Sequence, residues 1–213
     1  NYAEKAYSIF ADDLKKSATT RASIFGTLHV DATELLMDLM EKTGLKTFIG
    51  KVNMDRNGSK ALQEESAVVS ATDTVRWLND IAGKYENVKP ILTPRFTPSC
   101  SDELMSRLAE IQRAYCLPVQ SHLSENKSEI AWVKELCPNT SFYGEAYDQF
   151  GLFGGKTCPT IMAHCIYSSD AELSLMKTRG VFIAHCPQSN TNLSSGIAPI
   201  RHYLEEGLHI GLG

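Results

Sequence analysis

The sequence predicts an α/β protein with a parallel β-sheet, and the architecture it favours is a (β/α)8 barrel with one strand missing. Seven strand-like runs alternate with helix-like segments, a pattern typical of βαβ units. Three of the runs end in a histidine, at His122, His164 and His185, and functional side chains of such barrels lie at the carboxyl ends of the strands. An open doubly wound sheet is the alternative. Its dinucleotide-binding form has no support, because no GxGxxG follows the first run.

Each element is assigned from periodicity and turn chemistry. Apolar residues at helical spacing, or alternating and β-branched runs, separate helices from strands, and Gly, Pro, Asn and Ser mark the turns. The predicted helices are residues 3–17, 33–43, 66–85, 101–115, 125–136, 170–178 and 198–206. The predicted strands are residues 20–30, 46–54, 90–95, 117–122, 160–164, 181–185 and 208–212. Residues 137–159 are predicted to be irregular, since they are rich in Gly, Tyr and Phe.

Composition and motifs exclude several functional classes. The 213 residues carry a formal net charge of −4 and no basic block, so nucleic-acid binding has no electrostatic support. No apolar run approaches the ~20 residues of a membrane span. Sequences typical of zincin proteases, small cytidine-type deaminases, P-loop nucleotide binders and serine hydrolases (HExxH, PCxxC, Walker and GxSxG) are absent from the chain.

The six cysteines form no CxxC pair, which favours a reduced, cytoplasmic chain over a disulfide framework. The sequence starts at Asn1 inside a helical pattern and stops at Gly213, at the end of an apolar strand. We therefore expect it to be part of a longer protein.

The segment QSHLSEN, residues 120–126, contains the most informative candidate site. His122 ends a strand, and Glu125 follows where a helix is predicted to begin. Neutral imidazole is a common zinc ligand, and a carboxylate one turn later can carry a proton from water. A lone histidine is more often a core residue, and a lone glutamate more often stabilises a helix dipole. The equivalent strand ends at His164 and His185 favour a functional site here.

The other histidines have weaker interpretations. His164 is a second ligand or an electrostatic partner of a hydroxide. His185 lies in HCPQSN, where a tight turn makes a structural role as plausible as a catalytic one. His29 ends the first predicted strand, while His202 and His209 are interpreted as surface or core residues.

Arg95 and Phe96 follow the strand that ends in ILTPR. A rim arginine can donate hydrogen bonds to a carbonyl oxygen, and the neighbouring ring can stack on a planar substrate. A salt bridge with nearby packing is an equally good interpretation of the same two residues.

Several longer segments together resemble the amidohydrolase superfamily and, within it, the guanine deaminase family. They are TLHVDAT, GKVNMDRN, TPRFTPSCSDELM, QSHLSEN, MAHC, AHCPQSN and the terminal GLG. HCPxSN and the strand-end histidine followed by Glu are common to the superfamily, whereas PRF, GKVxMD and SHxSEN are more specific to guanine deaminases. The resemblance covers essentially the whole chain, and it implies zinc-dependent hydrolysis of guanine to xanthine and ammonia.

The resemblance also implies a domain organisation and a metal site. Residues 1–213 would form strands two to eight of a metal-dependent (β/α)8 catalytic barrel, with the first strand and a small β-sandwich domain outside this sequence. The barrel would hold one zinc ion, or iron in some members, with His122 and His164 at the metal and Glu125 as proton shuttle. The family's HxH pair would precede Asn1, and its metal-binding aspartate would directly follow Gly213.

The partners implied by the resemblance are guanine and water, bound by a homodimer. Arg95 and Phe96 match the purine-binding pair of the family, and Gln120, His122 and Glu125 would line the pocket. Two alternatives stay open at this point. One is an amidohydrolase that deaminates or dechlorinates another heterocycle, such as an aminotriazine, a pterin or an adenosine-like amine. The other is a non-catalytic scaffold.

Overall fold

The computed structural model describes residues 2–213, and within that range strands and helices alternate as predicted. The strands are β1 (Arg21–Phe25), β2 (Lys46–Gly50), β3 (Val52–Asn53), β4 (Val88–Pro90), β5 (Thr93–Pro94), β6 (Val119–Leu123), β7 (Thr160–His164), β8 (Phe182–His185) and β9 (His209–Leu212). The helices are α1 (Tyr2–Lys16), α2 (Val30–Glu41), α3 (Ala67–Asp80), α4 (Asp102–Tyr115), α5 (Lys127–Leu136), α6 (Glu145–Asp148), α7 (Asp170–Arg179), α8 (Pro187–Asn192) and α9 (Ile200–Glu205).

All paired strands run parallel. Their orders are β1-β2-β4, β3-β5 and β6-β7-β8-β9. The backbone N–H of Leu92 donates to Pro118 O at 2.9 Å and that of Gln120 donates to Leu92 O at 2.9 Å, which joins β4 and β5 to β6. Because β2–β3 and β4–β5 each occupy one position, the seven predicted strand positions lie side by side in chain order. The predicted parallel α/β architecture is confirmed.

The strand predicted over residues 46–54 is interrupted after Gly50. A Cβ atom on Gly50 would lie 1.8 Å from Thr93 Oγ1 and 2.5 Å from Ile91 O, so only glycine allows this close approach of β2 to the next strand. Lys51 follows as a buried residue outside the ladder. The interruption therefore comes from packing between strands, which periodicity does not report.

The helices are set by capping and by their apolar faces. Four of them begin at a polar N-cap residue whose side chain accepts a backbone N–H three residues later, a contact that stabilises the first turn. These N-caps are Ser66, Ser101, Asn126 and Ser169. On α2, Leu36, Met37 and Met40 are buried against the strands, at the i, i+1, i+4 spacing of a core-facing stripe.

Several further details differ from the sequence prediction. β1 ends at Phe25, and His29 is the N-cap residue of α2, so the prediction that His29 ends a strand is wrong. The hydroxyl of Thr33 donates to His29 O at 3.0 Å, which ties that residue into a turn. Glu125 precedes the N-cap Asn126 and lies outside α5. The short helix α6 interrupts the segment predicted to be irregular.

Two composition-based expectations can be compared with the fold. In the part of the chain that is described, no helix has the length and apolar character needed to cross a bilayer. All six cysteines are free thiols in the structure.

Candidate active site

Adjacent parallel strands bring His122 and His164 together. His122 on β6 is in register with Ala163 on β7, and Leu123 is in register with His164. The two imidazole rings are stacked with centroids 5.3 Å apart and an interplanar angle of 17°. His185 ends the next strand, β8, and its Nδ1 is buried with no hydrogen-bond partner among residues 2–213.

Hydrogen bonds determine which nitrogen of each imidazole is available. His122 Nδ1 lies 2.6 Å from Arg95 O, and His164 Nδ1 lies 2.6 Å from Asn190 Oδ1. Both oxygens are acceptors, so each Nδ1 carries a proton, and in a neutral imidazole Nε2 is then the nitrogen with the lone pair. Burial lowers the pKa of His122 to about 4, which keeps this imidazole neutral at pH 7. Neutral imidazoles oriented through Nδ1–H in this way are suited to ligate a metal.

Glu125 faces the same pair of rings. Its Oε2 lies 3.6 Å from His164 Nε2, and its Oε1 accepts a hydrogen bond from Ser195 Oγ at 2.8 Å. A separation of 3.6 Å exceeds a direct hydrogen bond. The carboxylate oxygen and the imidazole lone pair can therefore share a proton or a cation.

The donor set fits part of a zinc site. His122 and His164 offer two imidazole nitrogens, and zinc sites are tetrahedral as a rule, so these supply about half of the donors. Within residues 2–213, no group of three or more His, Cys, Asp or Glu side chains could hold a metal ion. A full set needs donors from outside this range.

Arg95 and Phe96 lie directly beside His122. The Arg95 guanidinium is 4.9 Å from the Phe96 ring centroid, a cation–π geometry. The Phe96 ring is edge-on to Trp132 at 6.3 Å and to His122 at 6.4 Å. The exposed Arg95 therefore has its guanidinium over an aromatic surface, from which its N–H groups can reach a bound molecule.

A cavity of about 810 Å³ opens beside these residues, within the roughly 300–1,000 Å³ of ligand pockets. His122 and Arg95 line it together with Phe25, Met54 and Leu62. His29 also lines it. Apolar walls with one guanidinium and two imidazoles suit a flat, uncharged ring that has a carbonyl acceptor.

Gln120 has its hydrogen-bonding groups engaged inside the strands. Its Oε1 accepts from Ser23 Oγ at 2.7 Å, and its Nε2 donates to Ile24 O at 3.0 Å and to Thr93 Oγ1 at 2.9 Å. Gln120 thus links β1 and β5 to β6. A direct contact of Gln120 with substrate stays a prediction.

Sequence reasoning missed three residues that hold the site. The HCPQSN pattern indicates Asn190 only as part of a turn, whereas its side-chain oxygen accepts from His164 Nδ1. Ser195 had no signal, since a serine in a loop is common. Tyr147 lies in the segment predicted to be irregular, and its hydroxyl donates to His122 O at 2.8 Å.

Backbone strain is also concentrated at the site. Ser124, His164 and Cys165 have φ values of 48°, 75° and 49°. For residues with a Cβ this left-handed region costs about 1–2 kcal/mol each, and such strain is typical of functional sites.

Known proteins match this chain along its whole length. Guanine deaminase from Mus musculus is 42% identical over 212 residues, which are 99% of this chain and 46% of the mouse protein. A guanine deaminase crystal structure from C. acetobutylicum, with bound guanine in the active site, is 50% identical with a TM-score of 0.95. That match covers 100% of this chain and 50% of the solved chain.

A more distant structure, atrazine chlorohydrolase from Arthrobacter aurescens TC1 complexed with zinc, shares the fold at a TM-score of 0.81 and 19% identity, over 99% of this chain and 48% of that one. The present chain spans about half the length of the relatives it matches. The sequence pattern of the amidohydrolase family matches residues 1–213. The chain therefore belongs to the amidohydrolase family.

Proposed function

We propose that the whole protein is a guanine deaminase, which hydrolyses guanine to xanthine and ammonia. The observation that carries this proposal is the cluster of His122, His164 and Glu125 at the carboxyl ends of neighbouring strands, next to a cavity walled by Arg95. The 50% identity to a guanine deaminase with guanine in its active site supports the choice of substrate.

In this proposal, His122 and His164 hold a zinc ion through Nε2, and the remaining donors come from parts of the protein outside this sequence. Iron is the alternative metal. A zinc ion supplies a hydrolytic nucleophile at neutral pH, because it lowers the pKa of water toward about 7. The neutral state of His122 and the anchoring of both Nδ1 atoms favour such binding.

Arg95 and Phe96 bind the purine. The guanidinium donates hydrogen bonds to the carbonyl oxygen of guanine, and the aromatic ring packs against the purine edge or face. Gln120 supports the wall of the pocket through its bonds to β1 and β5. This arrangement orients the amine-bearing ring carbon toward Glu125 and His164.

Glu125 moves the protons of the reaction. It accepts a proton from the attacking water and delivers it to a ring nitrogen, while the water oxygen bonds to the carbon that bears the amine. If His164 serves as the electrostatic partner instead of a second ligand, its imidazole stabilises the resulting tetrahedral adduct. Glu125 then transfers the second proton of that water to the amine, the carbon–nitrogen bond breaks, and ammonia leaves with xanthine as the other product. The hydrogen bond from Ser195 orients the carboxylate.

We also propose a cytoplasmic homodimer. The free thiols of all six cysteines support a reducing compartment. The dimer rests on the resemblance to guanine deaminases, and size-exclusion chromatography with light scattering of the whole protein tests it.

The change Glu125→Gln tests the proton shuttle. In the whole protein we expect guanine turnover, followed as ammonia release, to fall by about 10³-fold, within the range of about 10²–10⁴ that a general acid–base contributes. Zinc content should be unchanged, because Glu125 is not a proposed ligand. Glu135→Gln, at an exposed position of α5, is the matched control and should keep wild-type turnover. Wild-type turnover in Glu125→Gln would contradict the shuttle role.

A substrate panel tests the choice of ring. Guanine should be turned over faster than an aminotriazine, a pterin or adenosine. The change Arg95→Met should reduce kcat/KM for guanine more than it reduces kcat/KM for the other three substrates. Faster release from another heterocycle would reassign the substrate. A metal-free, inactive wild-type protein would favour a scaffold.

A further inference from the structure

We propose that Glu129 and Glu172 are positioning residues that hold the turn carrying Glu125, so that its carboxylate stays against His164. This inference deepens the proposed deaminase function and rests on it. Both glutamates are buried, 6% and 1% exposed, and both connect the turn at Ser124–Glu125 to the same distant segment, residues 143–144.

Glu172 forms the first connection. Its Oε2 accepts a hydrogen bond from Ser124 Oγ at 2.8 Å, and its Oε1 accepts one from the backbone N–H of Gly144 at 2.7 Å. One carboxylate on α7 therefore bridges the turn after β6 and the start of α6.

Glu129 forms the second connection. Its Oε2 accepts a hydrogen bond from the backbone N–H of Glu125 at 3.2 Å, and its Oε1 accepts one from Tyr143 Oη at 2.8 Å. The two carboxylates thus bind the two consecutive residues of the turn on one side and two consecutive residues of the loop on the other. We call this four-bond arrangement, made by Glu129 and Glu172, the carboxylate clamp.

The turn needs such support because its backbone is strained. Ser124 has φ 48°, a conformation that costs about 1–2 kcal/mol for a residue with a Cβ and persists only where surrounding contacts enforce it. If the turn relaxed, Glu125 would move from its place 3.6 Å from His164 Nε2. A displacement of about 1 Å can cost a reaction on the order of 10²-fold.

Helix capping alone does not account for the clamp. Both glutamates lie three residues after an N-cap, Asn126 for Glu129 and Ser169 for Glu172, which is the spacing of a capping box. In a capping box the glutamate accepts the N–H of its own N-cap residue. Here Glu129 instead accepts the N–H of the preceding residue, and Glu172 reaches two other segments. Burial raises the pKa of both carboxyls, so burying them in the charged form opposes folding.

The test compares leucine and glutamine at each position in the whole zinc-loaded enzyme. Glu129→Leu and Glu172→Leu remove the acceptor oxygens and put an apolar side chain in their place. We expect kcat for guanine to fall about 10- to 100-fold and KM to change less than about twofold. This pattern is expected when the proton carrier loses its position. In Glu129→Gln and Glu172→Gln the amide oxygen can accept the backbone N–H, and the amide NH2 can donate to the hydroxyl that formerly donated. These variants should therefore keep kcat within about threefold of wild type. A role in stability alone would not lower kcat at nearly constant KM in the leucine variants while leaving kcat close to wild type in the glutamine variants.

Glu41→Leu provides the matched control. Glu41 also accepts backbone N–H groups of a neighbouring loop, but at the opposite end of the strands, so this variant should lose stability and keep wild-type kcat. Hydrogen–deuterium exchange of a peptide spanning residues 122–127 adds a readout that needs no substrate. Protection should fall at least about fivefold in the two clamp leucine variants and stay unchanged in Glu41→Leu, because local opening sets exchange.

Two results would overturn the clamp: leucine variants with wild-type kcat and protection, or glutamine variants as impaired as the leucine variants. A wild-type enzyme that is inactive on guanine would instead reject the proposed function. The exchange comparison would then still decide whether Glu129 and Glu172 hold the turn.

Discussion

At the amino-terminal end of the strands, Glu41 accepts hydrogen bonds from the backbone N–H groups of residues 86–88 at 3.0–3.3 Å. At the carboxyl-terminal end, Glu129 and Glu172 make the same kind of contact. Burial acts to raise the pKa of Glu41, but the hydrogen bonds from Asn87 and its neighbours outweigh it and lower that pKa. At the other end burial prevails and raises the pKa of both carboxyls.

A carboxylate that accepts hydrogen bonds from backbone N–H groups therefore has a lowered pKa at one end of the strands and a raised pKa at the other. A carboxylate that stays close to solvent stabilises the fold in its charged form, whereas a buried one opposes folding when charged. Backbone strain follows the same division. Six non-glycine residues have positive φ in residues 2–213. Cys116 precedes β6, whereas His164 ends β7 and the other four lie in connections that follow strands towards the next helix or strand: Asn57, Ser124, Cys165 and Ser194. At the end of the strands that bears the candidate site, buried carboxylates and strained backbone hold side chains in position, and both reduce stability.

The largest predicted effect breaks a buried ion pair at the carboxyl-terminal end. Lys51 Nζ contacts Glu64 Oε1, and the side chains are 0% and 4% exposed. Lys51→Met leaves the Glu64 carboxylate buried without its cation, which should lower the free energy of unfolding by about 3–5 kcal/mol. Urea unfolding of the whole protein measures the loss.

Lys84→Met is the control for that change. Lys84 lies 3.3 Å from Asp38, with both side chains 43% exposed, and such a pair contributes about 1 kcal/mol or less. Equal losses for Lys51→Met and Lys84→Met would contradict the view that burial distinguishes the two ends.

An intermediate effect is expected at the amino-terminal end. Glu41→Gln removes a charged acceptor of backbone N–H groups, and we expect a loss of about 1–2 kcal/mol at pH 7. Because the folded pKa of Glu41 lies below its ordinary value of 4.5, the stabilisation is fully present above pH 4.5 and is lost as the pH falls through the folded pKa. Thermal unfolding between pH 3 and 8 measures this, with exposed Glu135→Gln as control. If the stability difference between wild type and Glu41→Gln did not decrease below pH 4.5, the predicted role of the charged Glu41 would be contradicted.

The smallest predicted effect has the opposite pH dependence. Since burial raises the folded pKa of Glu172 above 4.5, the unfolded chain loses its proton first as the pH rises, and the wild-type protein loses stability over that window. Glu172→Gln does not titrate, so its Tm relative to wild type should rise with pH between 4.5 and the folded pKa. At pH 7 its stability should lie within about 1 kcal/mol of wild type. A relative Tm that falls with pH would remove the distinction between the ends.

The sequence pattern alone predicts the positions of β6, β7 and β8 and the histidines at their ends. Apolar runs, N-caps and turn residues act within a few neighbouring residues, so they can be identified in the sequence. His29 and the breaks in two strands were not predicted correctly. The break after Gly50 depends on an atom of Thr93, 43 positions further along the chain, and periodicity carries no information at that range.

By itself the sequence determined the parallel α/β fold, the strand-end placement of His122 and His164, and the proximity of Glu125 to the end of β6. Only the tertiary structure decided which groups hold Glu125 in place. Ser195 is 70 residues from Glu125 in the chain, and Glu172 is 48 residues from Ser124. The capping-box spacing of Glu129 and Glu172 would look the same in the sequence if each glutamate formed a hydrogen bond with its own N-cap residue or with another loop. Long-range packing makes that choice, because it decides which buried donors must be satisfied.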